Sequence, residues 1–288
     1  MKVLEWYEQP VLQRQQAWQK AWEKFVPQKG VMEWTVSKEL QSIDAKSLLK
    51  ELKNHHVTLV DSLKAATLIA ALGSAPVEVA RSGFIDCLFF RFKSGSWPFA
   101  FFRQSLRELI VRRAPSLDLH RTVYVVGTES HAYASVAELI EMGFEKFNVV
   151  SRDPTPAHHL MDFFKKNYFK VQIKVLRNAD LPLQQNNGAL LINTVNLSED
   201  QEMAEDLSYL NFIYSEGVVI DAFIHPKKHL LLEETINVGL KLIEGLEIFG
   251  HRDGLIFSNA LKEFFQVEVS VSDFMEVWDQ AWEGLESK

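Results

Sequence analysis

The feature that most constrains the fold of this chain is a series of short apolar segments that alternate with helical patterns in its second half. Each segment has four or five residues and is rich in Val, Ile and Leu. They are Thr122 to Val126, Phe147 to Val150, Val171 to Val175, Ala189 to Asn193, Val218 to Asp221 and Leu240 to Ile243. Strands this apolar bury both faces, as they do in a parallel sheet covered by helices. Residues 121–245 therefore predict a doubly wound α/β domain.

The first half of the chain predicts a second α/β domain. Between Leu12 and Phe25, apolar residues recur at three- and four-residue steps, which indicates an amphipathic helix with Trp18 and Trp22 facing inward. Strands, a hairpin and helices follow, and two helices end the chain outside the alternating scheme. The predicted elements are strands at 31–36 and 57–60, a helix at 44–54, a hairpin of 87–92 with 97–102, and helices at 104–113, 246–265 and 270–285.

The boundary between the two domains is predicted in the stretch from Ala114 to Leu117, where the pattern changes. A chain of 288 residues is long enough for two domains of ordinary size. We therefore expect one domain in residues 1–116 and the doubly wound domain in residues 117–254.

Composition excludes several classes of protein. The net charge is -7 and no segment concentrates Lys and Arg, so no nucleic-acid partner is expected. No apolar stretch approaches the ~18 residues of a membrane span, and Glu5 and Glu8 interrupt the start of the chain before a signal sequence can form. Cys87 is the only cysteine, which leaves no intrachain disulfide. These features predict a cytoplasmic protein with no membrane partner.

The segment from Val123 to Ala132 reads as a strand, a glycine turn and the start of a helix. A Rossmann-like dinucleotide fold cradles pyrophosphate at this place. Of its usual three glycines only Gly127 is present, because Glu129 and Ser130 occupy the other positions. A carboxylate ~4 Å from a phosphate costs roughly 1 to 4 kcal/mol. The segment predicts either a weakened phosphate loop or an ordinary turn with Ser130 as N-cap.

Four further segments follow one another in an order typical of a known family. They are Val57-Thr58-Leu59 before a helix at Ser62, Ile192-Asn193-Thr194, the stretch from Val218 to Pro226, and the stretch from Glu244 to Phe249. They resemble Val-Thr-Ile-Pro-His-Lys, Ile-Asn-Ala-Thr, Val-Val-x-Asp-x-Val-Tyr-Asn-Pro and Asn-Gly-Leu-x-Met-Leu of the shikimate dehydrogenase family. The resemblance covers nearly the whole chain and indicates a divergent member.

The resemblance implies a two-domain, NAD(P)-dependent oxidoreductase that acts on a hydroxy or keto acid. Residues 117–254 would form the Rossmann-like nucleotide domain. Residues 255–288 would return to residues 1–116 and complete an α/β domain of substrate-binding type.

The catalytic positions implied by the resemblance do not carry catalytic residues. The family's lysine falls on Ser62, and the aspartate of its Asn-Thr-Asp-Gly segment falls near Arg103. An arginine is protonated at any working pH and cannot act as the base that hydride transfer from an alcohol needs. Ordinary shikimate oxidation is therefore not expected. A relocated pair of Lys64 and Asp86 is a further hypothesis, although Lys64 is turned about 200° from Ser62 on a helix.

The implied cofactor is NADP, with NAD as the alternative and none if the chain is a pseudoenzyme. The family's Asn-Arg-Thr falls on Ser151, Arg152 and Asp153. Arg152 favours the 2'-phosphate of NADP, whereas Asp153 favours the 2'-hydroxyl of NAD, and both are equally typical of a solvated loop. The predicted cofactor-binding residues are Gly127, Ser130, Ser151, Arg152, Asn193 and Thr194.

The predicted substrate cleft contains three arginines where the family has neutral or acidic residues. The family's N-terminal substrate motif falls on Tyr7, Gln9, Pro10, Gln13 and Arg14, and the other cleft positions fall on Asp86, Arg103, Ile224 and Arg252. Together, Arg14, Arg103 and Arg252 predict a cationic cleft for a small anionic molecule. The alternatives are three separate surface arginines, a non-catalytic descendant that binds an anion or a partner protein, and a purely structural subunit.

His225 and His229 have ligand-like spacing, but no metal site is predicted. Pro226 breaks the helix that would align the two side chains, and the sequence offers no obvious acidic third ligand.

Overall fold

The computed structural model describes residues 1–7, 11–37, 50–61, 65–73, 75–91, 95–225 and 229–283. The predicted positions Gln9, Pro10, Ser62, Lys64 and Pro226 lie outside these residues, as does most of the predicted helix at 44–54. Within the described part of the chain, no helix is long and apolar enough to cross a membrane.

Strands and helices account for most of the described residues. The strands are β1 Lys2–Trp6, β2 Glu33–Val36, β3 Val57–Val60, β4 Cys87–Arg91, β5 Gly95–Phe99, β6 Thr122–Val126, β7 Lys146–Val150, β8 Gln172–Leu176, β9 Gly188–Asn193, β10 Ile213–Asp221 and β11 Lys241–Ile243. The helices are α1 Leu12–Phe25, α2 Ala65–Leu72, α3 Val77–Ser82, α4 Phe101–Arg113, α5 Ser130–Glu141, α6 Pro154–Asn167, α7 Gln201–Ser208, α8 Leu230–Asn237, α9 Gly245–Phe265 and α10 Val271–Trp282. Short 3-10 turns lie at Pro27–Lys29, Asn178–Leu183, Leu197–Glu199 and Leu210–Phe212.

The chain divides into two compact units, which are unit 1 (residues 1–102 and 250–288) and unit 2 (residues 103–249). The first change of unit falls between Phe102 and Arg103, near the start of α4, rather than in the loop that follows this helix. The second falls between Phe249 and Gly250, within α9.

Unit 1 is built on a mixed five-stranded sheet with the order β2-β1-β3-β4-β5. β1 pairs in parallel with β2 and β3, while β4 is antiparallel to β3 and β5. The predicted hairpin is confirmed, but β5 ends at Phe99 and α4 begins at Phe101. α1 has the predicted bounds, and Trp18 and Trp22 are buried as predicted. The strand β1 was not predicted, although it pairs with two neighbours.

Unit 2 is a doubly wound domain on six parallel strands, as predicted. Their order is β11-β10-β9-β6-β7-β8, so the order reverses between β6 and β9. Consecutive residues of β6, β7, β9 and β10 are buried, which shows that both faces of the sheet are covered. Because the strands are parallel, their carboxyl ends share one edge, and in such sheets ligands bind at that edge where the order reverses.

Candidate functional site

The turn after β6 lies at the carboxyl edge of unit 2 and needs a glycine at its first position. Gly127 has φ +103°, and a Cβ there would lie 2.5 Å from Thr194 Oγ1 and 2.9 Å from Val195 Cγ1. Thr194 cannot move away easily, because its hydroxyl donates to the Val126 carbonyl at 2.6 Å. The turn is therefore held tightly against the end of β9.

The helix that follows this turn does not begin as predicted. The N-cap of α5 is Glu129, which makes no side-chain capping bond, while Ser130 is the first helical residue. The expectation that Ser130 caps the helix is therefore wrong. Glu129 is exposed in extended conformation immediately before the helix. Its carboxylate lies at the end of a helix that attracts anions, which is where a dinucleotide phosphate would bind.

Two predicted cofactor residues, Asn193 and Thr194, are buried at the end of β9. The Asn193 side chain donates to the Val195 carbonyl at 2.8 Å and to Asp221 Oδ1 at 2.9 Å. Asn193 Oδ1 accepts from the Val195 amide at 3.1 Å. These side chains therefore hold the edge of the sheet together and orient the carboxylate of Asp221.

The predicted recognition loop after β7 carries Ser151, Arg152 and Asp153. The Arg152 guanidinium pairs with Asp200 at 2.7 Å and with Glu202 at 2.8 Å. Asp153 caps α6 by accepting from the Thr155 amide at 2.8 Å. Both side chains are exposed, as the alternative of a solvated loop expects, but each already has a partner within unit 2.

The end of β10 brings an aspartate and two histidines together. The side chain of Asp221 accepts through Oδ2 from His229 Nε2 at 2.5 Å, and His225 Nε2 lies 3.2 Å from the same oxygen. The centres of the two imidazole rings are 4.4 Å apart. Ile224 lies in the same loop and is half-buried. The expectation that the histidines have no acidic third ligand is therefore wrong, because Asp221 fills that position.

Burial and hydrogen bonding act in opposite directions on Asp221. Burial raises the pKa of its carboxyl, but the contacts with His225, His229 and Asn193 outweigh burial and lower the pKa below its ordinary value. The backbone of this loop packs closely against Gly245, because a Cβ at that position would clash with the Phe223 carbonyl. The cluster is therefore held as an anionic carboxylate beside two imidazoles.

Unit 1 contains a different buried cluster, centred on Asp253 in α9. One carboxylate oxygen of Asp253 is 2.6 Å from the Arg252 guanidinium, and the other is 3.0 Å from Arg14 Nε and accepts from Trp18 Nε1 at 3.0 Å. Arg14 also pairs with Glu5 at 3.2 Å. Two arginines thus face two carboxylates, and their formal charges cancel.

Tyr7 borders this cluster and touches both arginines. The Arg14 guanidinium lies 4.6 Å from the centre of its ring, and Arg252 Nη1 is 3.4 Å from its hydroxyl. Burial lowers the pKa of Arg252, but Tyr7 and Asp253 raise it more strongly, so the net shift is upward. Both arginines are buried, and neither offers a free charge to an anion.

Arg103 belongs to unit 2 and is also buried among acidic side chains. Its guanidinium is 3.0 Å from Glu138 and 2.8 Å from Glu141. Arg107 pairs with the same two glutamates. The predicted cationic cleft is therefore wrong in its electrostatics, because carboxylates neutralise all three arginines. The alternative of three surface arginines is also wrong, because burial of these guanidinium groups requires those partners.

Asp86 has a structural contact rather than a free carboxylate. Its two oxygens accept from the amides of Phe101 at 2.8 Å and Phe102 at 2.7 Å, at the start of α4. Burial raises the pKa of Asp86 to about 6, although Arg252 and the two amides oppose this shift. Asp86 therefore stabilises the amino end of α4, whose first two residues belong to unit 1.

Comparison with known proteins finds one similar sequence and many similar folds. No protein-family model matches the chain. Shikimate dehydrogenase (NADP(+)) of Gloeothece citriformis is 26% identical over 157 residues, which cover 52% of this chain and 54% of that relative. The match thus spans about half the length of the curated relative.

Solved structures of similar fold cover nearly the whole chain. Quinate dehydrogenase from Corynebacterium glutamicum in complex with NAD has a TM-score of 0.77 at 14% identity, over 97% of this chain and 99% of that one. Shikimate 5-dehydrogenase from Thermus thermophilus in complex with NADP(H) and shikimate has a TM-score of 0.71 at 18% identity, over 97% and 98%. The chain thus has the fold of these shikimate and quinate dehydrogenases along almost its full length.

The centres of the two buried clusters, Asp221 and Asp253, are not among the site residues predicted from the sequence. Asp221 was assigned to the family motif only, although Asp221, His225 and His229 follow one another at four-residue steps. Asp253 has no role in the predicted cleft, although it is adjacent to Arg252 in the sequence. In both cases the available signal was an acidic residue close in sequence to the basic or imidazole groups that it contacts.

Proposed function

We propose that this chain is an NAD(P)-dependent oxidoreductase that acts on a small hydroxy or keto acid other than shikimate. The observation that carries the proposal is the Gly127 turn, which is packed against Thr194 at the point where the strand order reverses. That point is where doubly wound folds bind a dinucleotide. Because a fold does not fix an activity, the proposal must stand on nucleotide binding.

The charges beside Arg152 favour NAD over NADP. Arg152 is the residue that makes NADP the expected cofactor, but Asp200 and Glu202 already pair with it. The three side chains carry a net charge of about -1 at neutral pH. A 2'-phosphate would add further negative charge to this site, whereas a 2'-hydroxyl would not. We therefore assign NAD as the preferred cofactor.

The polar group that acts on the substrate oxygen is assigned to the cluster of Asp221, His225 and His229. The family's lysine and aspartate positions are Ser62 and Arg103, and neither residue type can act as that base. The cluster lies at the carboxyl edge of unit 2, at the end of β10. Imidazole is the side chain best suited to proton transfer or metal binding near neutral pH.

The test is a binding titration of the full chain with NAD and NADP. Glu129→Gln removes a negative charge from the phosphate loop, so we expect NAD to bind roughly fivefold more tightly, or about 1 kcal/mol. The double variant Asp200→Asn/Glu202→Gln should improve binding of NADP more than that of NAD.

Glu145→Gln is the matched control for Glu129→Gln. Glu145 is exposed and precedes β7, so it lies at the amino end of the sheet, and its loss should leave both affinities unchanged. If neither the wild type nor Glu129→Gln binds a nucleotide at millimolar concentration, the oxidoreductase proposal is wrong. If binding is found, nucleotide reduction with a panel of hydroxy acids identifies the substrate.

A further inference from the structure

Asp221, His225 and His229 form a compact set of possible metal ligands. Their ligand atoms all lie within 4.8 Å of one another. The side chains are 1%, 3% and 10% exposed, respectively. Two imidazole nitrogens and one carboxylate oxygen are a donor set that transition metals prefer. We propose that these three residues bind a divalent transition-metal ion, with Zn²⁺ as its simplest occupant.

The spacing of the donor atoms suits a tetrahedral ion. With metal–ligand bonds of 2.0 to 2.1 Å, neighbouring ligands of a tetrahedral Zn²⁺ are about 3.3 Å apart. His225 Nε2 and Asp221 Oδ2 are 3.2 Å apart. His229 Nε2 is 2.5 Å from the same oxygen, so this pair must separate by about 0.8 Å when the ion enters. A small rotation of one imidazole supplies that movement.

Unpaired nitrogens are the second observation that points to a ligand. His229 Nδ1 is buried and makes no hydrogen bond within the described residues, and His225 Nε2, also buried, has only the 3.2 Å contact with Asp221 Oδ2, which is not aligned as a hydrogen bond. Buried polar atoms are nearly always paired, so each exception calls for a physical reason. An ion bound through the Nε2 atoms would replace this poorly aligned contact of His225 with a metal–ligand bond.

A hydrogen bond from Asn193 also orients the carboxylate of Asp221. Asn193 donates to Asp221 Oδ1 at 2.9 Å, which leaves Oδ2 directed at the two histidines. Asn193 is itself fixed by bonds to both backbone groups of Val195. Such outer contacts hold a ligand in the geometry that a metal requires. Asn193 is therefore a positioning residue for the site.

Three protein ligands leave one position of a tetrahedral ion open. This arrangement is typical of catalytic zinc, whereas structural zinc usually has four protein ligands. An ion with an open position polarises an alcohol or carbonyl oxygen. This consequence rests on the proposed function and would supply the group that Ser62 and Arg103 cannot provide. The binding of the ion itself does not depend on that function.

The experiment is a titration of the chelator-treated full chain with Zn²⁺ and Co²⁺, without nucleotide or substrate. We expect one ion per chain and a visible Co²⁺ spectrum of low coordination number. His225→Gln and His229→Gln should each weaken binding at least about 100-fold, and Asn193→Ala by roughly 10- to 100-fold. His159→Gln, an exposed histidine on α6, is the control and should bind as the wild type does.

Circular dichroism of each metal-free variant checks that it is folded before the titration. Substoichiometric binding to the folded wild type, or binding that His225→Gln and His229→Gln leave unchanged, overturns the metal site. The outcomes are separable from the nucleotide titration. A chain that binds NAD but no metal retains the proposed function without the site, and a chain that binds metal but no nucleotide retains the site alone.

Discussion

The two units of this chain each bury a cluster of charged or titratable side chains, and the clusters differ in kind. In unit 1, Arg14 and Arg252 face Glu5 and Asp253, so permanent positive charges meet an equal number of carboxylates. In unit 2, Asp221 faces His225 and His229, and His229 Nδ1 has no hydrogen bond among the described residues. The charges of the first cluster neutralise one another, whereas the second cluster contains imidazole nitrogens that can bind a ligand.

This difference follows from the chemistry of the basic side chains. A guanidinium keeps its proton and offers only donors, so a buried arginine requires a carboxylate and then has nothing left to bind. A neutral imidazole has one nitrogen that accepts, and that nitrogen can bind a proton or a metal ion. We conclude that the cluster in unit 1 supports the fold, while the cluster in unit 2 is suited to a ligand.

The largest expected effect comes from breaking the closed cluster at its centre. Asp253→Ala removes a carboxylate that contacts Arg14, Arg252 and Trp18. Breaking a buried pair by removing one partner costs about 3 to 5 kcal/mol, because the remaining charge stays buried. We expect a loss of this size in the free energy of unfolding measured with urea.

An exposed ion pair in unit 1 provides the control for this variant. Glu276 is 3.4 Å from Lys24, and both side chains are about half exposed or more. Because water screens such a pair, Glu276→Gln should cost less than about 1 kcal/mol. A similar small loss for Asp253→Ala would contradict the view that unit 1 depends on its cluster.

A smaller effect is expected at Asp86, which lies beside the same cluster. Burial raises its pKa to about 6, with Arg252 and the Phe101 and Phe102 amides lowering it and Asp253 raising it. The unfolded chain therefore releases this proton at lower pH than the folded protein does. The stability contributed by Asp86 must fall as the pH rises from about 4 to 6, by up to about 3 kcal/mol.

Asp86→Asn isolates this contribution, because the variant cannot titrate at that position. The quantity to measure is the free energy of unfolding of the wild type minus that of the variant, from pH 4 to pH 7. We expect this difference to decrease as the pH rises. A difference that stays constant over this range would show that burial does not raise the pKa of Asp86.

The sequence predicted the fold well, because the fold depends on local patterns that the sequence displays. The apolar steps of α1 and the apolar runs of unit 2 are visible residue by residue. β1 was not predicted, because it is short and contains Glu5, and a charged residue argues against a buried strand. Glu5 is buried in this strand because it pairs with Arg14.

The sites were predicted less well, because contacts between distant residues decide them. The resemblance gave positions for Arg14, Arg103 and Arg252, but it did not reveal the carboxylates that neutralise them. Glu138 and Glu141, the partners of Arg103, lie more than thirty residues away in the sequence. Only the cluster of Asp221 had a local signal, in the regular spacing of three ligand-type residues.

The smallest expected effect sharpens the contrast between the clusters. His225→Gln in the metal-free protein should change the free energy of unfolding by about 1 kcal/mol or less, because Asp221 keeps its bonds from Asn193 and His229. Zn²⁺ should then raise the melting temperature of the wild type but not of this variant, since a ligand stabilises only the state that binds it. A loss as large as that of Asp253→Ala would instead make the histidine cluster a support of the fold. The site would then differ from the arginine cluster in composition alone, and the unpaired Nδ1 of His229 would need another explanation.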